Sequence, residues 1–178
     1  MTETRRAIAD HVRDNPGVHF SGVVRALDLA PGQVQYHLRR LRGDDRVVAE
    51  EIRGRTHLYP PGYDEWERAA LAMFRRETAR ELLAHLLDHG SATPADLADD
   101  LGVARSTVEW HLDELVDRDL VAKRRPDNRV RLELVRPEAT ADLLASVTPS
   151  LPERMVDRFT KLVDGLVEEG EALRRPER

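Results

Sequence analysis

Val34-Gln35-Tyr36-His37-Leu38-Arg39-Arg40-Leu41 is echoed further along the chain by Val108-Glu109-Trp110-His111-Leu112-Asp113-Glu114-Leu115. The two histidines stand 111 − 37 = 74 residues apart. In each stretch a Val and two Leu fall at i, i+4 and i+7, which sets them on one face of a helix. A repeat of this kind decides the architecture first: it predicts two copies of one small unit. Between the copies the apolar positions are kept, while the exposed ones change sign. Arg39 and Arg40 give way to Asp113 and Glu114.

Working outward from the first copy, Ile8 and Val12 mark a helix over about Thr4–Asp14, which Asn15-Pro16-Gly17 ends. Val18-His19-Phe20 reads as a short strand, and Ser21–Asp28 as a second helix. Pro31 suits the first position of a third helix running to about Asp44. Val47-Val48-Ala49 and Thr56-His57-Leu58-Tyr59 then form two strands around a tip at Arg53-Gly54-Arg55.

Pro60-Pro61-Gly62 marks a boundary. An amphipathic pattern follows from Asp64 to His89, read as one long helix that connects the repeats and opens the second. Thr93-Pro94-Ala95-Asp96 starts the next helix, with a capping threonine, a proline and an acid at the right offsets. The helix of the second copy runs over about Arg105–Arg118, and strands Val121–Arg125 and Val130–Val135 flank Pro126-Asp127-Asn128. Two helices close the chain: Pro137–Val147, and one opened by the capping box Ser150-Leu151-Pro152-Glu153 and running to about Leu173. The apolar stripe of that last helix includes Met155, Phe159, Leu162 and Leu166, and pairing it with a second copy makes a homodimer. The domains are therefore expected at 1–62, 63–135 and 136–178.

The chain has no cysteine, which removes disulfides and thiolate metal sites. No run approaches the roughly 18 apolar residues of a membrane-spanning helix, and the N-terminus lacks a signal-peptide pattern. A soluble cytoplasmic protein without membrane contact is expected. Net charge is −5, yet residues 1–62 hold 10 Arg/Lys against 8 Asp/Glu, while residues 63–135 hold 11 against 16. The acidity lies outside the first repeat, and distribution matters more than the sum.

Helix, helix, turn, helix and two-stranded hairpin is the order of a winged helix-turn-helix, whose third helix enters the major groove. The fold class is mainly α with small β-hairpin wings (α+β). With Val34, Leu38 and Leu41 facing the core, Tyr36, Arg39 and Arg40 point away from it, with Gln33 beside them and Gln35 on the other flank. Glutamine pairs with adenine and arginine with guanine, and either holds phosphate. Arg53 and Arg55 sit where wing residues meet the backbone. In the second repeat Asp113 and Glu114 are expected to face that groove and be repelled. Arg105, Ser106 and Thr107 at the helix start, and Lys123, Arg124, Arg125 and Arg129 on the hairpin, remain to grip phosphate.

Both repeats resemble the winged-helix domains of the ArsR and MarR regulator families. The run Ser106-Thr107-Val108-Glu109-Trp110-His111-Leu112-x-x-Leu115 is similar to the ArsR recognition-helix signature. The whole chain resembles the tandem winged-helix regulators of haloarchaea. The resemblance, over about residues 4–135, implies a dimeric, sequence-specific DNA-binding transcription regulator of archaeal type. Two departures stand out: Pro31-Gly32-Gln33 replaces a Ser/Thr-rich start, and the cysteine metal site of many ArsR sensors is missing.

His85 and His89 lie at i, i+4, a spacing that suits a divalent metal. Histidines beside an apolar helix face are more often structural, and neither metal nor cofactor is expected. Trp66, Tyr59 and Tyr63 cluster near the linker, either sealing the junction or lining an effector pocket. No nucleophile elbow, phosphate-cradling glycine loop or carboxylate pair points to an enzyme. The rival to a regulator is an adaptor that docks on transcription or replication machinery without reading DNA. The overall acidity and the acidic second copy favour it, and the second domain is the part expected to make such contacts.

Overall fold

The computed structural model describes residues 2–147, and these divide into two compact units, one of residues 2–75 with 145–147 and one of residues 76–144. The helix expected from Ser150, with Met155, Phe159, Leu162 and Leu166, lies outside the described residues.

The first unit opens with α1 (Glu3–Asp14), capped by the Thr2 side chain, followed by β1 (Val18–His19), α2 (Phe20–Leu27) and α3 (Pro31–Gly43). A hairpin of β2 (Val48–Ile52) and β3 (Arg55–Tyr59) follows. These strands form an antiparallel sheet in the order β1-β3-β2, with Val18 opposite Leu58 and Leu58 opposite Ala49. Strand side chains alternate faces, so Val18, Leu58 and Ala49 share one face. That face packs on Ile8, Val12, Val23, Val34, Leu38 and Leu41 from the three helices.

The opposite face carries His19, His57, Glu50 and Tyr59. α4 (Glu65–Phe74) lies against it: Arg68 Nε bonds Glu50 at 2.7 Å, and the Tyr59 hydroxyl donates to the Arg68 carbonyl at 2.9 Å. The Arg68 guanidinium also donates to the Tyr63 carbonyl at 2.6 Å. Tyr59 is fully buried and Trp66 nearly so, which makes them packing residues of the first unit. Gly17, at φ +81°, sits so close to Leu71 that a Cβ there would meet its backbone at 3.1 Å. Arg75, itself buried, donates to the Pro16 carbonyl at 2.9 Å.

α4 therefore completes the first unit, which runs past the expected boundary at Gly62. The single helix expected from Asp64 to His89 is two helices, α4 and α5 (Glu77–His89). Arg76 breaks it with an extended backbone at φ −101° and ψ 121°. No proline or glycine marks this break. A tertiary bond, from Arg75 back to the turn at Pro16, sets it instead.

The second unit repeats the plan with α5, β4 (Ser91–Ala92), α6 (Pro94–Leu101), α7 (Arg105–Asp117), β5 (Val121–Arg124) and β6 (Arg131–Leu134). Its sheet order is β4-β6-β5, the counterpart of the first. Strand β4 is an addition to the sequence reading. α8 (Pro137–Ser146) follows, with the Thr140 hydroxyl donating to the Arg136 carbonyl at 2.8 Å. The 74-residue offset holds at the level of single bonds. Arg46 N donates to Leu41 O as Leu120 N does to Leu115 O, and Leu29 N to Val24 O as Val103 N does to Ala98 O. Asp45 and Asp119 take up the same left-handed backbone, at φ 52° and 54°.

Candidate nucleic-acid interface

α3 and α7 are each 13 residues long and begin after an alanine, Ala30 and Ala104, with no side-chain cap. By contrast α4 and α6 carry full capping boxes, Asp64 with Glu67 and Thr93 with Asp96. The Thr93 hydroxyl and backbone N–H hold the Asp96 carboxyl below its usual range. The two third helices thus start without the side-chain acceptor that α4 and α6 carry.

Val34, Leu38 and Leu41 anchor α3 in the core, as expected. Gln33, Gln35, Tyr36, Arg39 and Arg40 are exposed, and so is Arg42. α3 carries no acidic residue, so Arg39, Arg40 and Arg42 are the only charged groups on its exposed face. His37 is buried at 8% exposure, and its ring meets the Tyr36 ring edge-on at 5.2 Å. The Arg40 guanidinium lies over Tyr36 at 5.6 Å from the ring centre.

The first wing turns at Arg53-Gly54, closed by the pair Ile52–Arg55. Both turn residues have positive φ, 50° and 69°, the mark of a type I′ hairpin. Such turns favour Asn or Asp before Gly. An arginine at that position is conformationally costly, by about 1 kcal/mol or more, and it sits at the exposed tip with Arg55.

The second unit differs from expectation on α7. Glu114 does not face outward: it is buried at 8% exposure and paired with Arg118 at 2.5 Å. Asp113 is exposed, but its carboxylate takes Lys123 Nζ at 2.9 Å, and Glu109 takes Arg105 Nε at 3.1 Å. The outward placement expected of Glu114 is therefore corrected: it turns inward and pairs with Arg118, while Asp113 is exposed as expected and pairs with Lys123. Trp110 stands 49% exposed, edge-on to the buried His111 at 4.7 Å. Arg76 reaches over its ring at 5.9 Å, a contact across 110 − 76 = 34 residues that no local pattern announces.

Ser106 is exposed and Thr107 half-buried at the start of α7. On the second wing Lys123, Arg124, Arg125 and Arg129 are all exposed. Arg124 lies directly across the hairpin from Arg131, with Glu133 4.0 Å from Arg124. Like charges opposite each other destabilise a hairpin, and an anion resting on them relieves that cost.

His85 and His89 stack with ring centres 4.0 Å apart. His85 Nε2 meets Asp100 at 2.9 Å and His89 Nδ1 meets the His85 carbonyl at 3.0 Å. Among the described residues no cluster of three or more His, Asp or Glu is arranged to hold a metal. None of the described helices is long and apolar enough to cross a membrane.

Two winged helix-turn-helix units in tandem define the class of this protein. Comparisons with known proteins agree. A family described as an N-terminal HTH domain matches residues 2–71, and one described as winged helix-turn-helix DNA-binding matches residues 75–122. The chain is also similar to an uncharacterized HTH-type transcriptional regulator of Methanocaldococcus jannaschii, 27% identical over 133 residues. That match covers 73% of this chain, which spans about a third (33%) of the relative's length.

Proposed function

We propose that this protein is a sequence-specific, double-stranded-DNA-binding transcription regulator acting as a homodimer. The observation that carries the reading is the acid-free outer face of α3 beside the basic wing tip. Gln33, Gln35, Tyr36, Arg39 and Arg40 supply base contacts, and Arg53 and Arg55 hold phosphate. The helix-turn-helix name of the archaeal relative supports the same reading. Action on DNA implies a cytoplasmic location, and no catalysis is proposed.

In the second unit, Lys123, Arg124, Arg125 and Arg129, with Arg105, Ser106 and Thr107, grip backbone rather than read bases. The opposed Arg124 and Arg131 support this assignment. Dimerisation is assigned to the stripe of Met155, Phe159, Leu162 and Leu166. A two-fold dimer favours half-sites about 10 bp, or a multiple, apart.

Salt titration of duplex binding tests the reading. Affinity falls steeply with salt, with a log–log slope of about −0.9 per phosphate neutralised. Replacing Arg39 and Arg40 together by alanine abolishes site preference, and unchanged preference sinks the role of α3. In solution the intact chain has the mass of a dimer and loses it when residues 150–178 are removed. A monomeric intact chain rejects the homodimer.

A second reading has one specific observation in its favour. Trp110 stands exposed among charges that are already paired, which suits a protein-docking surface on the transcription machinery. Under that adaptor reading duplex binding is weak and indifferent to sequence.

A further inference from the structure

We propose that Tyr36 is a specificity-determining residue of the first unit: its ring holds the Arg40 guanidinium in position to recognise a guanine in the DNA duplex. The proposal rests on the reading of α3 as the DNA-facing helix, and adds to it a base, a reader and a positioning group.

A free arginine gives up side-chain freedom when it is fixed on a base. A guanidinium stacked on an aromatic ring has lost part of that freedom already. Its in-plane N–H donors stay available for the O6 and N7 acceptors of guanine. The Arg40 guanidinium lies over the Tyr36 ring, 5.6 Å from its centre. Tyr36 is 52% exposed, yet it is not loose, because its ring abuts His37, which is buried in the unit. The order is thus buried imidazole, half-exposed ring, exposed guanidinium. Among the described residues no ring lies over the neighbouring Arg39.

The second unit supplies an independent observation. There the aromatic and the buried histidine recur as Trp110 and His111, while Glu114 has replaced the arginine one turn on. An arginine nevertheless lies over the ring, and it comes from a different element, Arg76 at the start of α5. The stacked arginine is therefore more than a by-product of i, i+4 spacing. The aromatic-histidine pair is a mount for a guanidinium.

Selection from a duplex library with a randomised central window tests this on the full chain, comparing wild type with Tyr36→Phe, Tyr36→Ala and Arg40→Ala. Wild type enriches sites with a guanine at a fixed position. Arg40→Ala lowers the preference for that guanine by about tenfold. Tyr36→Ala lowers it by about two- to fivefold, the worth of an exposed cation–π contact. Its salt slope stays that of wild type, because no phosphate contact is lost. Tyr36→Phe keeps the preference, since the ring suffices.

An intact guanine preference in Tyr36→Ala or in Arg40→Ala overturns the proposal. So does a loss in Tyr36→Phe equal to that in Tyr36→Ala, which makes the hydroxyl the reader. A wild-type chain without any sequence preference overturns the reading of α3 itself. That outcome is distinct from selective wild-type binding that Tyr36→Ala leaves unchanged.

Discussion

Asp113 on α7 and Lys123 on β5 meet at 2.9 Å, so the second unit spends one of its wing cations on its own third helix. Both side chains are exposed, and such a pair contributes between about 0 and 1 kcal/mol to stability. Replacing Asp113 by alanine leaves the melting temperature nearly unchanged and releases Lys123 to phosphate. The salt slope of duplex binding then steepens by about 0.9. An unchanged slope shows that the Asp113 pair does not hold Lys123 back from phosphate.

Arg53 sets binding against folding. Its left-handed backbone suits asparagine better, so Arg53→Asn stabilises the first unit by about 0.5–1 kcal/mol in urea unfolding. The same change weakens duplex binding and makes the salt slope shallower. A variant that gains stability with no loss of affinity leaves the wing tip without a role in DNA contact.

Burial, and after it the nearby Arg75 guanidinium, hold the His11 imidazole below its ordinary value of 6.5, with Asp14 opposing. Below about pH 6.5 the unfolded chain takes up a proton there that the folded chain refuses. Stability is therefore complete above that pH, and is lost as the pH falls toward the lowered value. His11→Gln flattens this part of the profile. Parallel urea midpoints for the variant and wild type between about pH 7 and pH 5 disprove the assignment.

Gly17 combines a positive φ with backbone contact to Leu71, whereas Gly90 has a positive φ and open space around it. Gly17→Ala costs about 1–3 kcal/mol from the backbone conformation, and more from displacing α4. Gly90→Ala costs only the conformational part. Equal losses in chemical unfolding argue against close packing of α4 at residue 17.

The sequence made the repeat legible because its signals are local. Val34, Leu38 and Leu41 recur as Val108, Leu112 and Leu115, and the caps at Thr93 and Asp96 follow from side-chain chemistry within one turn. What escaped was settled by partners distant in the chain. The break between α4 and α5 depends on Arg75 finding Pro16, 75 − 16 = 59 residues away. Arg76 over Trp110 and Lys123 on Asp113 are of the same kind. Glu114 shows the limit of a helical wheel. Arg40 at the equivalent position is exposed, but Glu114 has Arg118 one turn on and turns inward. A residue at the edge of an apolar stripe goes in or out according to its partner.

The lid that α4 forms over the sheet also sets where the chain can be cut. A fragment ending at Gly62 keeps every residue proposed to read DNA in the first unit, yet leaves the Tyr59 hydroxyl and Glu50 without Arg68. The smallest portable reading head, for transplanting or for study alone, therefore extends at least to Arg75.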